Sequence, residues 1–171
     1  MSDYTRSTRE CTFDQLRPEL RRAILEFARM GEIGSLADDI LGCCETKSEK
    51  KAGGFFSGWF ESGADQIIYT GALFTAEWLV WARSGDVSGA HVTAARLADI
   101  QVKPYASLLV RDKGLEVFGY VGDAKRRMRG YIGMGPEPAA QAFCQGVQQA
   151  AEKINPPNKK LPSWMGGPAQ G

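Results

Sequence analysis

Alternating apolar and polar positions dominate the middle of the chain and predict β-strands. Residues 66–75 and 77–83 are rich in β-branched and aromatic side chains; in the second stretch Trp78 and Val80 face one way and Leu79 the other. Both sides of this stretch carry large apolar groups, so one face is predicted to be core and the other partly covered. Turn-forming residues separate further short strands, predicted at 90–93, 101–105, 107–110, 115–120 and 126–134.

Helical periodicity flanks this β-rich region on both sides. Before it, apolar residues recur at steps of four, four and three, at Leu16, Leu20, Ile24 and Phe27. This spacing predicts a helix over about residues 14–30. After it, Pro136 near the start and Asn155-Pro156-Pro157 at the end bound a predicted amphipathic helix down to Ile154.

Several segments carry weaker signals. Residues 1–12 are polar and are predicted to be loose. Residues 40–47 fit a first strand or the tail of a helix, and 48–63 predict a long glycine-rich loop. Leu97 and Ile100, three apart, indicate a single helical turn or a bent strand.

Length and composition are those of one globular domain with an appended arm. The chain has 171 residues, of which 43% are hydrophobic and 24% charged. We predict an arm over 1–39, a domain over 40–154 and a flexible tail over 155–171. Whether the helix of the arm packs on its own domain or on a neighbour is left open.

Charge and hydropathy argue against two classes of protein, nucleic-acid binders and membrane-spanning proteins. With 21 Lys+Arg against 20 Asp+Glu, the formal net charge of +1 argues against a nucleic-acid partner, which usually requires a basic excess. The N-terminus has no apolar signal-peptide core, and no stretch approaches the ~20 apolar residues of a membrane span. A soluble cytoplasmic protein is therefore expected.

The cysteines and the single histidine give no metal-binding pattern. Cys11, Cys43, Cys44 and Cys144 form no C-x-x-C pair, and His91 has no zinc-ligand companion at a suitable spacing. Reduced thiols are expected, with the vicinal pair Cys43 and Cys44 pointing to opposite faces of a strand. No metal and no cofactor is predicted.

The order of short strands followed by one amphipathic helix resembles that of pleckstrin-homology-like (PH-like) domains of bacteria. Residues 71–81 look like a hairpin common in that family, 97–100 resemble its short L-x-x-I element, and 115–118 with the helix around Phe143 fit the remaining positions. The resemblance implies an α+β, mainly β fold: a seven-stranded, partly open antiparallel barrel closed by the C-terminal helix. It also implies binding of ligands or partners without chemistry, and ring assembly in some members.

An aromatic segment is the first candidate site. It places Phe55, Phe56, Trp59 and Phe60 among glycines. Aromatic side chains are enriched in interface cores, so this segment predicts a surface for a protein partner or for self-association. The competing interpretation, held equal, is that the loop folds back over the sheet.

A basic run is the second candidate, a contact for anions or lipid headgroups, and consists of Lys125, Arg126, Arg127 and Arg129. The favoured interpretation is that these residues form the solvated side of a hairpin. Lys50 and Lys51 alone do not make the basic loop of phosphoinositide-binding relatives.

Motifs for catalysis are not found: the chain has no G-x-S-x-G, no Walker loop and no H-E-x-x-H. We therefore expect a non-enzymatic PH-like interaction or assembly module. One alternative is a peripheral membrane protein that binds anionic lipid. The other is a protein that binds a small ligand in the mouth of the barrel.

Overall fold

The computed structural model describes residues 4–31, 33, 36, 39–51, 65–107, 112–122 and 126–156. These residues form a mainly β structure with two α-helices, which confirms the predicted α+β class. In chain order the elements are β1 (Tyr4–Glu10), α1 (Pro18–Met30), β2 (Gly42–Lys50), β3 (Ile67–Phe74), β4 (Trp78–Gly85), β5 (Gly89–Arg96), β6 (Ile100–Ser107), β7 (Asp112–Gly119), β8 (Met128–Met134) and α2 (Pro138–Ile154).

The described strands form two antiparallel sheets and no closed barrel. The large sheet has five strands in the order β1-β2-β3-β4-β5, and the small sheet has three in the order β6-β7-β8. The prediction of seven strands is wrong because β1 is an additional strand. Leu97–Asp99 form a 3-10 turn where the chain passes from the large sheet to the small one, and the ambiguous segment after residue 40 is strand β2.

Strand β1 contradicts the prediction that residues 1–12 are loose. It pairs with β2 in antiparallel register from Tyr4 opposite Lys50 to Glu10 opposite Cys44. Its side chains alternate between exposed and half-buried, and within the strand only Thr8 is buried. Because an edge strand is held by backbone hydrogen bonds, it needs little apolar content, and its sequence carries no hydrophobic signal.

The buried Thr8 ties the large sheet to the end of the small one. Its Oγ1 lies 2.8 Å from Oγ1 of Thr46 on β2 and accepts a hydrogen bond of 2.8 Å from the amide of Gly135, just after β8. The Thr8 amide donates to Oε2 of Glu137, the N-cap residue of α2, at 2.9 Å. We call these four residues the Thr8 junction.

Two hydrophobic cores lie on opposite faces of the large sheet. The inner face packs against α2 and the small sheet, and the outer face packs against α1. Alternation along β4 divides its residues between them, with Leu79 and Trp81 inside and Val80 and Ala82 outside. The prediction that both faces of this stretch are covered is confirmed, and α1 packs on its own sheet.

A buried carboxylate fixes the start of α1. Glu45 on β2 is 7% exposed and accepts hydrogen bonds from Arg9 Nε and Nη2, at 3.2 and 2.9 Å, and from the Arg17 amide at 2.8 Å. A carboxylate at a helix N-terminus is favourable because the first amides have no partner within the helix. The Arg17 guanidinium lies 3.8 Å from the centroid of the Tyr69 ring, which adds a cation–π contact.

The Thr8 junction yields a stability prediction. Thr8→Val preserves shape but leaves the Gly135 amide without its acceptor and Thr46 without its hydroxyl partner, so we expect a loss of about 1–3 kcal/mol in the free energy of unfolding. Urea denaturation measures this loss. Thr5→Val, at an exposed position of the same strand, is the control and should change the free energy by less than about 0.5 kcal/mol. Equal effects of the two substitutions would show that the junction adds no stability.

Candidate functional site

The inner face of the large sheet changes from apolar to polar along its strands. The middle of one cross-strand row is formed by Cys44, Ala72 and Trp81, which belong to the core under α2, and Glu10 and Thr93 end the row. Two residues further along the same face, the register aligns the polar row Thr8, Thr46, Thr70, Arg83 and His91. Polar side chains are not expected on a covered sheet face, so this end of the inner face has a different environment from the core.

Beyond the apolar core, the two sheets leave a cavity of about 90 Å³ between them. We call it the inter-sheet cleft. Strands β1 to β4 supply one wall and β8 supplies the other. Its cationic residues are Arg6 and Arg83; its hydroxyl-bearing residues are Tyr4, Ser48, Thr70 and Tyr131; its apolar residues are Ile68, Trp81 and Ile132, with Gly133 at the rim.

Glycine at position 133 makes room for Arg6. A Cβ atom added there would lie 2.6 Å from Arg6 Nε, closer than non-bonded atoms approach. The Arg6 guanidinium also lies 5.9 Å from the centroid of the Tyr4 ring, at the outer edge of cation–π range. Arg6 is therefore held between β8 and Tyr4, with its charge at the cleft.

Arg83 brings a second positive charge to the same cleft. It lies opposite Thr70 on β3 and His91 on β5, is exposed, and has no ion pair among the described residues. Ser48 and Thr70, 6% and 7% exposed, line the cleft beneath it. The described lining contains no carboxylate; the Ser48 and Thr70 hydroxyls add polar groups, while the Tyr4 and Tyr131 hydroxyls donate to the carbonyls of Asp65 and Lys113.

The chain matches no protein-family model, no curated protein and no solved structure. Within the described part of the chain, no helix is long and apolar enough to cross a membrane, and no three His, Cys, Asp or Glu side chains gather as a metal site.

The structure describes only part of the two surfaces predicted from sequence. The aromatic segment, with Phe55, Phe56, Trp59 and Phe60, lies outside the described residues, as does Lys125 of the basic run. Arg126 is exposed and Arg127 half-buried. Arg129 is engaged elsewhere: its Nε lies 2.8 Å from Oε1 of Glu116, a carboxylate that Lys103 also approaches at 3.3 Å.

The cysteines lie where alternation predicts. All four are buried and unbonded, and Cys43 belongs to the outer core while Cys44 belongs to the inner one. The vicinal pair therefore points to opposite faces, as predicted. His91 is exposed at the end of the polar row.

Sequence reasoning missed the cleft because its lining comes from five separate strands. One local signal was present in β4, where Leu79, Trp81 and Arg83 share a face and the first two are buried. A charged residue that ends an apolar row marks the place where a covered face opens to solvent.

The contact between Arg6 and residue 133 can be tested directly. Gly133→Ala should displace the guanidinium with little effect on folding, since the end of a flexible side chain yields easily. We expect a shifted Arg6 Nε–H resonance in NMR spectra and a change in unfolding free energy below about 1 kcal/mol. Gly130→Ala in the same strand, where the nearest atom would lie 3.8 Å away, should leave that resonance in place. An unshifted Arg6 signal in Gly133→Ala would contradict the described geometry.

Proposed function

We propose that this chain is a non-enzymatic binding module of PH-like architecture whose inter-sheet cleft takes a small anionic group, a phosphate or a carboxylate. The observation that carries the proposal is Arg83, which has no ion pair among the described residues and lies with Arg6 on a described lining without any carboxylate. The PH-like part is supported by two antiparallel sheets followed by the C-terminal helix α2. We include a cytoplasmic location in the proposal, because four buried thiols suit a reducing compartment.

The chemistry of the lining suits anions. Guanidinium groups make charge-assisted hydrogen bonds with phosphate and carboxylate oxygens, and these bonds are stronger than those between neutral groups. A volume of about 90 Å³ holds one such group rather than a whole cofactor. Ile68, Trp81 and Ile132 offer an apolar surface to the part of the ligand next to the anion.

The same lining favours binding over catalysis. General acid–base catalysis uses histidine most often, and also carboxylates, lysine, cysteine and tyrosine. Of these, the described lining offers only Tyr4 and Tyr131, whose hydroxyls donate to the carbonyls of Asp65 and Lys113. Guanidinium groups do not give up their proton in proteins, so they hold an anion without exchanging protons with it.

Two matched anions test the cleft and distinguish its ligand class. We expect phenyl phosphate or benzoate to shift the amide resonances of Ser48, Thr70 and Arg83 in an NMR titration. Arg83→Gln removes one charge-assisted contact, worth about 1.5–3 kcal/mol, and should weaken binding of the preferred anion by roughly 10- to 100-fold.

Arg96→Gln is the matched control. Arg96 lies on the opposite face, its guanidinium 5.2 Å from the Trp78 ring centroid, and its loss should leave the affinity unchanged. If only phenyl phosphate saturates the chemical-shift changes, the ligand is a phosphate. If only benzoate does so, the ligand is a carboxylate. Absence of localised shifts with either anion, or equal losses in both variants, would refute the cleft as an anion site.

A second candidate function, association with a protein partner or with a second copy, is favoured by exposed apolar side chains. Phe118, Tyr120 and Met128 are 38%, 44% and 47% exposed, and all three lie at the same end of the β7–β8 ladder. Phe118 and Met128 are on opposite faces there, because Phe118 lies opposite Arg129 and Met128 opposite Gly119. Large exposed apolar groups are typical of interaction surfaces. The lipid-binding alternative has less support, because Glu116 neutralises Arg129.

Light scattering tests self-association. We expect a mass above the 18.7 kDa of one chain at high concentration, and a shift towards the monomer in Phe118→Ser/Met128→Ser because apolar burial is lost. The aromatic segment is tested in parallel with Trp59→Ser/Phe60→Ser. Val87→Ser, which removes a 63% exposed apolar side chain from another surface, is the control. A wild-type chain that stays monomeric rules out this second function as self-association.

A further inference from the structure

Cys11 and Cys43 are a directly opposed pair of buried thiols. Their sulfur atoms lie 3.8 Å apart, and the Cys11 amide donates a hydrogen bond of 3.2 Å to the Cys43 carbonyl. The pair continues the β1–β2 register by one step beyond Glu10 opposite Cys44. Opposed residues of antiparallel strands have Cα atoms about 4.5–5.5 Å apart, inside the range of roughly 4.4–6.8 Å that disulfides accept.

We propose that Cys11 and Cys43 are an oxidative modification site, at which a peroxide converts the two thiols into a reversible intramolecular disulfide. The proposal is independent of the anion site. It requires the sulfur atoms to approach each other by side-chain rotation, while the backbone already has a suitable register.

The environment assigns different roles to the two sulfur atoms. The pKa of Cys11 is lowered because Cys43 hydrogen-bonds to its sulfur and the Arg9 guanidinium favours the thiolate. The pKa of Cys43 is raised, because it holds the proton shared with Cys11 and because it is buried. Cys11 is therefore the first nucleophile, and Cys43 is the thiol that reacts second.

The reaction is a two-electron oxidation that balances with hydrogen peroxide as the oxidant. The Cys11 thiolate attacks one peroxide oxygen; a sulfur–oxygen bond forms, the oxygen–oxygen bond breaks and hydroxide leaves. The Cys43 sulfur then attacks the sulfur of the Cys11 sulfenic acid, and the new hydroxyl departs as water with the Cys43 proton. The two thiols are oxidised to one disulfide, and the peroxide is reduced to two waters once the hydroxide is protonated.

The other two cysteines are expected to react more slowly with peroxide than Cys11. Cys44 lies on the opposite face of β2, and burial raises its pKa. Cys144 approaches the Met134 sulfur at 3.6 Å, and burial raises its pKa to about 11. Both thiols remain protonated at neutral pH, so they react slowly with peroxide.

The test treats the full chain with hydrogen peroxide and then counts free thiols after unfolding in denaturant. We expect the count to fall from four to two and peptide mapping by mass spectrometry to find the Cys11 and Cys43 peptides joined. Dithiothreitol should restore all four thiols. The oxidised chain should also melt several degrees higher, since the cross-link constrains the unfolded chain.

Cysteine variants distinguish disulfide formation between Cys11 and Cys43 from unspecific oxidation of all four thiols. Cys43→Ser should leave Cys11 as a sulfenic acid that dimedone traps, whereas Cys144→Ser should still form the disulfide and lose two thiols. Retention of all four thiols, or oxidation of Cys44 or Cys144 as fast as Cys11, would overturn the proposal. If the Cys43→Ser chain does not fold, the peptide map of the wild-type chain decides by itself.

Discussion

The hydroxyl group of Thr8 is the contact on which the arrangement of the two sheets depends. A threonine hydroxyl has one proton to donate and two lone pairs that accept, and Thr8 uses this capacity toward Thr46 on one side and the Gly135 amide on the other. Thr46 belongs to β2, the ladder partner of β1, whereas Gly135 follows β8 of the small sheet, a strand that does not pair with β1. Arg6 lies two residues earlier on the same strand, so the position of this strand also sets where the positive charge of the inter-sheet cleft lies. Architecture and candidate site therefore share one polar contact.

The outer side of the same strand is fixed by a charge. A carboxylate that is almost fully buried is costly unless it is paired and hydrogen-bonded, and Glu45 meets this condition through Arg9 and the amide of Arg17, the N-cap residue of α1. Strand β1 is thus held by the Thr8 hydroxyl on the inner face of the large sheet and by the Arg9 guanidinium on its outer face. Apolar burial contributes little. This explains how a polar edge strand occupies a fixed position between two cores that it scarcely enters.

Hydrophobic periodicity was sufficient to predict the helices and strands that bury an apolar face. Leu20 and Ile24 mark α1, Phe143 and Val147 mark α2, and alternation in β4 correctly indicated cover on both sides. It failed for β1 because that strand is stabilised by backbone pairing and polar contacts, which leave no hydrophobic pattern. The cleft could not be predicted because residues as distant in sequence as Arg6 and Tyr131 become neighbours only through the packing of two sheets. The PH-like identity and the role of Trp59 and its aromatic neighbours remain predictions.

The Thr8 junction also constrains how the molecule is made. Its two long-range hydrogen bonds join residues separated by 129 and 127 positions in the chain. During synthesis from the N-terminus, neither bond can form until the start of α2 has emerged from the ribosome, and contacts of such separation carry a large loop-closure cost. Strand β1 can therefore pair with β2 early in synthesis, but it reaches Glu137 and Gly135 only late. The cleft with both walls in place therefore requires the start of α2, and a nascent fragment that lacks this helix has only one of its two walls secured.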